Sequence, residues 1–209
     1  KFGEHGNPVL YTVSGPSGQG HETVYPEVVA QVFGIDPEEI TYRASDPDMD
    51  LKGSGSIGSR SMMNHGGVLV KTAHEVVRKG KELAAKHLEA GVGDIEFDKG
   101  NYRVKGTDLS VGLLELARKY ATKDGNPLDT QEQLPVANSF PSGAHIAEVE
   151  IDPATGEIAI LSYVAVDDGG VIINHKLAEG QVVGGLMQGL GQVMGEHYVY
   201  NSDGQIISG

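Results

Sequence analysis

The chain contains no cysteine, which excludes disulfides, a thiolate nucleophile, Cys-ligated zinc and any iron–sulfur cluster held by its own thiolates. A reducing cytoplasm fits that absence. Long apolar runs are missing too, and none approaches the roughly 20 residues of a membrane span. Positive charge is scarce: 16 Lys and Arg face 29 Asp and Glu, a net charge of −13. Such a surface repels a phosphate backbone, so neither nucleic acid nor a membrane is an expected partner. The 209 residues, 39% of them hydrophobic, suffice for one large domain or two small ones with a real core.

Glycine, by contrast, is abundant. The 30 glycines cluster at 15–20, 53–58, 66–67, 169–170 and 180–195. Glycine weakens regular structure unless the backbone must turn sharply or let something approach closely. Tight turns account for one or two clusters; five point to a backbone shaped around a ligand. Both ends are abrupt. The chain opens on Lys1-Phe-Gly-Glu without an initiator Met and stops at Ile207-Ser-Gly209, where a strand would be forming after the Asn201-Ser-Asp-Gly204 turn. The expectation is a piece of a longer polypeptide.

Periodicity predicts an α+β protein with helices laid on mixed sheets. Val9–Val13 reads as a strand. Tyr25, Val28, Val29, Val32 and Phe33 share a helical face that Gly34 ends, with the start near Thr23 so that Pro26 falls in the first turn. Glu39–Ala44 is the next strand. The three form a βαβ-like unit with parallel strands. Residues 46–59 form a loop and 61–90 a helix-prone stretch that Gly66, Gly67 and Gly80 interrupt. A hairpin is expected at 95–104 and a short helix at 111–120. Residues 144–151 and 158–166 alternate about the Asp152-Pro-Ala-Thr-Gly156 turn as an antiparallel hairpin. A glycine-rich helix over 179–195 and a last hairpin opening at Tyr198 complete the chain. The expected organisation is an α/β subdomain over 1–121, a connecting loop over 122–142, and a hairpin-plus-helix subdomain over 143–209.

Two glycine stretches mimic nucleotide motifs. Gly15–Gly20 has P-loop spacing, but His21 and Glu22 stand where lysine and a hydroxyl residue are needed. A glutamate repels phosphate, so the Walker reading fails on chemistry. What survives is a strand-to-helix corner whose backbone N–H groups can face an anion or a polar heterocycle, with Gln19 at its tip. A plain corner explains the glycines equally well but gives Gln19 no role. Gly53-Ser-Gly-Ser-Ile-Gly58 spells G-x-G-x-x-G, yet follows a loop rather than a strand, which argues against a Rossmann unit. Gly58-Ser-Arg-Ser61 then runs into a helix. Hydroxyls, the Arg60 cation and helix-start N–H groups suit a phosphate better than the first corner does. The competing reading is an ordinary N-cap by Ser59 or Ser61.

Other constellations are weaker. The eight histidines are scattered without a ligand spacing and read mostly as surface or helix-face residues, so no metal ligand is assigned. Without G-x-S-x-G no Ser-His-Asp order is defensible. Asp167-Asp168-Gly-Gly170 reads first as a turn with an Asp accepting backbone N–H bonds, and second as a carboxylate pair. Within Glu179–Gly191 the glycines permit close approach of a backbone or a flat ligand, while Gln181 and Gln188 present amides; close helix packing competes.

In order, Gly18-Gln-Gly-His-Glu-Thr23, Gly58-Ser-Arg-Ser61, Phe140-Pro-Ser-Gly-Ala-His-Ile-Ala-Glu-Val-Glu-Ile-Asp-Pro-Ala-Thr-Gly156, Val166-Asp-Asp-Gly-Gly170 with Asn174, and Glu179-Gly-Gln-Val-Val-Gly-Gly185 resemble the large subunit of the xanthine dehydrogenase, aldehyde oxidase and carbon monoxide dehydrogenase family. The resemblance covers nearly the whole chain. It implies a molybdopterin cofactor with molybdenum, in the cytosine dinucleotide form of many bacterial members. It also implies oxidation of aldehydes, N-heterocycles or carbon monoxide with water as oxygen source. The implied partners are iron–sulfur and FAD subunits or domains and the rest of the large subunit. Gly18, Gln19, Gly20 and Gln181 would then serve the pterin, and Gly58, Ser59, Arg60 and Ser61 the pterin and its phosphates. No catalytic residue is assigned, because the family's glutamate would lie beyond Gly209 and the first molybdenum loops upstream of Lys1. Gly169, Val183 and His175 depart from the usual pattern and leave the substrate class open. The expectation is a fragment that is inactive and without cofactor when alone. The alternatives are a degenerate homologue acting as a binding or scaffold domain and, ranked last, a molybdenum-free enzyme using Asp167 and Asp168.

Overall fold

The structure is a computed structural model and describes residues 1–44, 46–135 and 138–208. It divides into two compact units, Lys1–Asn138 and Ser139–Gly209.

The first unit begins with strand β1 (Val9–Thr12), helix α1 (His21–Phe33) and strand β2 (Thr41–Ala44). β1 and β2 pair in parallel, Val9 opposite Thr41 and Thr12 opposite Ala44, as the βαβ pattern predicts. Helix α1 starts two residues earlier than Pro26 would suggest. Pro26 is its sixth residue, so one bond back to the carbonyl of Glu22 is forgone while the ring is buried. Gly34, at φ +66°, ends the helix and donates to the Ala30 carbonyl. A 3₁₀ turn, Pro37–Glu39, leads into β2, and a reciprocal box between Asp36 and Glu39 caps it.

Helix α2 (Ser61–His87) is one uninterrupted helix of 27 residues despite its glycines. Leu69, Ala73, Val76, Gly80 and Ala84 recur every three or four residues and are buried, which forms the helix's core-facing stripe; α1 is among the elements that pack against α2. Gly80 has a packing reason: a Cβ there would lie 1.8 Å from the Tyr102 hydroxyl. Tyr102 is fully buried against the helix and donates to the Val77 carbonyl (3.2 Å), and burial raises its pKa well above the usual phenol range.

An antiparallel sheet of β3 (Ile95–Asp98), β4 (Asn101–Val104) and β5 (Ser110–Gly112) follows, then α3 (Leu113–Lys119). Leu113, Leu116 and Ala117 are fully buried. Residues 126–132 run back along this unit. Asn126 donates to the Ala117 carbonyl (2.7 Å), Leu128 is fully buried, and Lys79 donates to the Asp129 carbonyl (2.7 Å).

The second unit holds an antiparallel ribbon, β6 (Ser142–Ile151) with β7 (Ile158–Asp168), and helix α4 (His175–Met194). Asp152 and the positive φ of Gly156 close the turn. The register shifts between Glu148 and Val149, whose partners are Ser162 and Ile160, leaving Leu161 as the extra residue. Asn174 caps α4 by accepting from the Leu177 N–H (3.2 Å). The hairpin expected after Tyr198 is reduced to one bridge, Tyr200 to Ile206.

Candidate functional site

The parallel pair β1–β2 ends beside two loops. One, residues 13–20, runs from β1 into α1; the other, 46–60, runs from β2 into α2. They are neighbours: a Cβ on Gly53 would lie 2.9 Å from a Val13 methyl. A cleft of about 300 Å³ lies alongside, lined in part by Thr12, Val13, Asp50, Lys52 and Gln131.

The backbone of both loops turns left-handed where the sequence carries its glycines. Gly18 (φ +93°), Gly20 (φ +74°) and Gly58 (φ +61°) occupy that region, and Ser59 does so at φ +54° without glycine's freedom. A non-glycine residue held there is a strained position of the kind that clusters at ligand sites. Neither helix start is closed by a side chain. Gly20 is the N-cap of α1 and Arg60 that of α2, and neither makes a side-chain capping hydrogen bond. The ordinary serine cap is therefore absent, and Ser59 and Ser61 do not satisfy the first turn of α2.

Gln19 is half-buried, and its Oε1 accepts from the Ser17 N–H of its own loop. That bond engages Oε1 and leaves the Nε2 donors for another partner. Arg60 is half-buried as well; its Nη1 donates to Asn138 Oδ1 (2.9 Å), while its Nε–H is buried with no partner. Gln181 belongs to α4 in the second unit and is exposed.

The polar groups beneath these loops were not singled out by the sequence. Thr12 Oγ1 and the Tyr42 hydroxyl both donate to the Ser14 carbonyl (3.1 Å each) and lie 2.9 Å apart, tying the corner to both strands. His21 is 4% exposed and stacks on Tyr25, ring centroids 4.6 Å apart. Tyr25 in turn meets Tyr42 edge-on (5.8 Å) and His65 (5.9 Å), which joins the first turns of α1 and α2. His65 Nδ1 lies 3.2 Å from the Ser61 carbonyl. Burial lowers the pKa of His21, the nearby His65 lowers it further, and Glu22 partly opposes them, so the surroundings favour the neutral ring. Burial pushes the Tyr25 phenol up to about 12, tempered by Ser14 and Ser61, which do not reach hydrogen-bond geometry with it.

Among the described residues, seven buried side-chain polar atoms have no hydrogen-bond partner. Four belong to Ser14, His21 and Tyr25, and three to Ser56, Arg60 and Asn64. All seven therefore sit on the two loops or the first turns they feed. Folded proteins leave few such groups, and each costs about 1–3 kcal/mol. Concentrated at two open helix starts, they mark the place where a polar ligand would complete the protein's hydrogen bonds.

The carboxylate pair of the second unit divides. Asp168 accepts from the Gly170 N–H (2.9 Å), a turn as expected, while Asp167 lies 3.2 Å from His145 Nε2, whose Nδ1 lies 3.0 Å from the Tyr163 hydroxyl.

Two uncapped helix starts and a cluster of uncompleted polar groups lie beside the parallel strand pair, an arrangement that can receive a polar ligand. The whole chain, residues 1–209, matches the family model of the molybdopterin cofactor-binding domain, and it belongs to that family, the one found in large subunits of the xanthine dehydrogenase and carbon monoxide dehydrogenase type. It is 34% identical to the gamma subunit of the 6-hydroxypseudooxynicotine dehydrogenase complex of Paenarthrobacter nicotinovorans, over 97% of this chain and 26% of that protein. It is 32% identical to the carbon monoxide dehydrogenase large chain of Afipia carboxidovorans, over 91% of this chain and 24% of that protein. Its fold is similar to a Cu,Mo-CO dehydrogenase structure in the carbon monoxide reduced state (TM-score 0.80, 29% identity, 99% of this chain and 27% of that one). It is also similar to quinoline 2-oxidoreductase of Pseudomonas putida 86 (TM-score 0.77, 28% identity, 99% and 27%). The chain thus spans about a quarter of the length of these relatives. No helix among the described residues is long and apolar enough to cross a membrane.

Proposed function

We propose that this chain forms the pterin-binding part of the large subunit of a molybdenum hydroxylase, and that the residues 13–20 and 56–64 hold the cofactor. The observation that carries this reading is the confinement of all seven uncompleted buried polar atoms to residues 14–25 and 56–64, the two loops and the helix starts they feed. The donor set fits the group. Gln19 offers amide N–H groups to a neutral ring, while Arg60 and the open N–H groups of α2 suit a pyrophosphate. Gln181, carried over by resemblance, is a further candidate for the pterin.

When bound, the cofactor supplies the molybdenum at which an aldehyde, an N-heterocycle or carbon monoxide is oxidised with oxygen from water. The protein's own part is positional. Thr12 and Tyr42 hold the Ser14 carbonyl and so fix the corner; the Ser17 N–H engages Gln19 Oε1; Asn138 holds one end of the Arg60 guanidinium. A site rigid before binding loses less on ordering its ligand. The cytosine dinucleotide form, the iron–sulfur and FAD partners and a cytoplasmic location belong to this proposal. Relatives four times longer support assigning turnover to a longer polypeptide, with the chain inactive alone.

The test is to purify the native polypeptide carrying this chain from a molybdenum-replete host and measure bound molybdenum and released cytidine or guanosine nucleotide. Gln19→Ala should lower both about tenfold, and Arg60→Ala by about ten- to a hundredfold, as expected for charge-assisted bonds. Unchanged loading in both variants would favour the scaffold reading.

A further inference from the structure

Ribbon β6–β7 carries apolar side chains on both of its faces, but at different ends. Successive residues of a strand point to opposite sides, so Ala144, Ile146, Glu148 and Glu150 share one face of β6, while His145, Ala147, Val149 and Ile151 share the other. Val166 pairs with Ala144 and Val164 with Ile146, which makes an apolar patch on the first face near the open end of the ribbon. The second face is polar there and satisfies itself: Asp167 and the Tyr163 hydroxyl lie 3.2 and 3.0 Å from the two ring nitrogens of His145.

Past the register shift the sides exchange. Without the extra residue, Leu161, the alternation of β7 would keep Ile160 and Ile158 on the face of Val164 and Val166. The shift turns them to the second face, where they pair with Val149 and Ile151, and leaves Glu148 and Glu150 on the first. The isoleucines and valines of both patches are exposed. A ribbon covered on one side would keep its apolar side chains in one row; a bulge that divides the row calls for cover on both sides.

The charge around the patches limits what can cover them. Between Ser139 and Gly209 stand nine Asp and Glu and a single Lys or Arg, Lys176. A second copy would set carboxylates against carboxylates, and an anionic lipid surface would be repelled as well. The relatives, of which this chain covers 26% and 24%, contain ample further polypeptide to supply the cover.

Resting on the reading of this chain as part of a longer large subunit, and not on the cofactor loops, we propose that the ribbon is clasped on its two faces by two different segments of that subunit outside residues 1–209. One apolar segment covers Ile146, Val164 and Val166 and bears Lys or Arg where it passes Glu148 and Glu150. The other covers Val149, Ile151, Ile158 and Ile160 on the opposite side. The chain by itself leaves both patches in water.

The test places the photo-crosslinking side chain p-benzoylphenylalanine at Ile146 or at Ile160 of the native polypeptide and maps the crosslinked peptides by mass spectrometry. Hydroxyl-radical labelling of the unsubstituted polypeptide, native against urea-unfolded, reads the same side chains without any substitution. The two positions should crosslink to two different segments, both outside residues 1–209, and both patches should lose most of their labelling in the native state. Crosslinks from both positions to one segment would overturn the two-sided clasp. Crosslinks to residues 1–138, a covalent dimer, or labelling equal in the native and unfolded states would overturn the proposed occupant. A native polypeptide no longer than this chain would overturn the large-subunit reading itself.

Discussion

The first unit buries polar atoms it does not satisfy, whereas the second exposes apolar side chains it does not bury. In residues 1–138, a core of Tyr25, Leu69, Val76, Tyr102, Leu113 and Leu116 is closed, and the seven stranded polar atoms lie at one end of it. In the described residues of the second unit no side chain is buried at all. Ile146 and Val164 face each other across the ribbon at 70% and 54% exposure, and past the register shift Val149 and Ile160 do so at 50% and 37%. Both regions are incomplete, in opposite senses. The first lacks a partner for hydrogen bonds, which a small polar ligand can supply. The second lacks a partner for hydrophobic area, and a two-stranded ribbon gains little stability without one.

The same truncation should therefore behave differently in the two regions. Leu116→Ala, at a fully buried position, should cost about 2–5 kcal/mol in urea unfolding followed by circular dichroism. Ile146→Ala should change the same transition by less than about 0.5 kcal/mol. Equal losses would erase the distinction between the units.

A smaller effect follows from His21. Its folded pKa lies below the ordinary 6.5, so an unfolded chain takes up a proton near that pH that the folded chain refuses. Stability should fall as pH drops below about 6.5, with a slope from this group of at most about 1.4 kcal/mol per pH unit. His21→Phe should flatten that part of the curve, measured as urea midpoints between about pH 7.5 and 5.5; an unaltered slope would place the titration elsewhere. The smallest effect belongs to the exposed His145–Asp167 pair. A side chain on Gly143 would put its Cβ 2.6 Å from Asp167 Oδ1, so glycine there leaves room for the carboxylate. Asp167→Asn should cost less than about 1 kcal/mol at neutral pH, read from the same unfolding curves.

The βαβ unit and the long ribbon were legible because their periodicities, 3.6 and 2, are carried by many residues. Three-residue β5 gives no period, and two of its residues, Val111 and Gly112, fell in a segment read as helix. The start of α1 was misplaced because the proline rule assumes Pro26 must sit in the first turn, whereas burying its ring offsets one forgone hydrogen bond. At the site, Gln19 and Arg60 stood out because glycines and a rare cation mark their loops. His21 and Asn64 did not, since a polar residue at a helix start reads as solvent-facing; Tyr25 reads as part of an apolar helical face and Ser56 as part of a loop. Only packing shows that these side chains are closed off from water and unpaired, and packing of α1 against α2 is a long-range property no local motif encodes.

The central claim is that the two polar loops are completed by one ligand. Amide hydrogen exchange of the native polypeptide, loaded and then stripped of cofactor, tests it most directly. Loading should protect residues 14–25 and 56–64 together and leave 95–120, across β3 to α3, unchanged. Protection absent from both loops, or confined to other parts of the chain, would contradict the account.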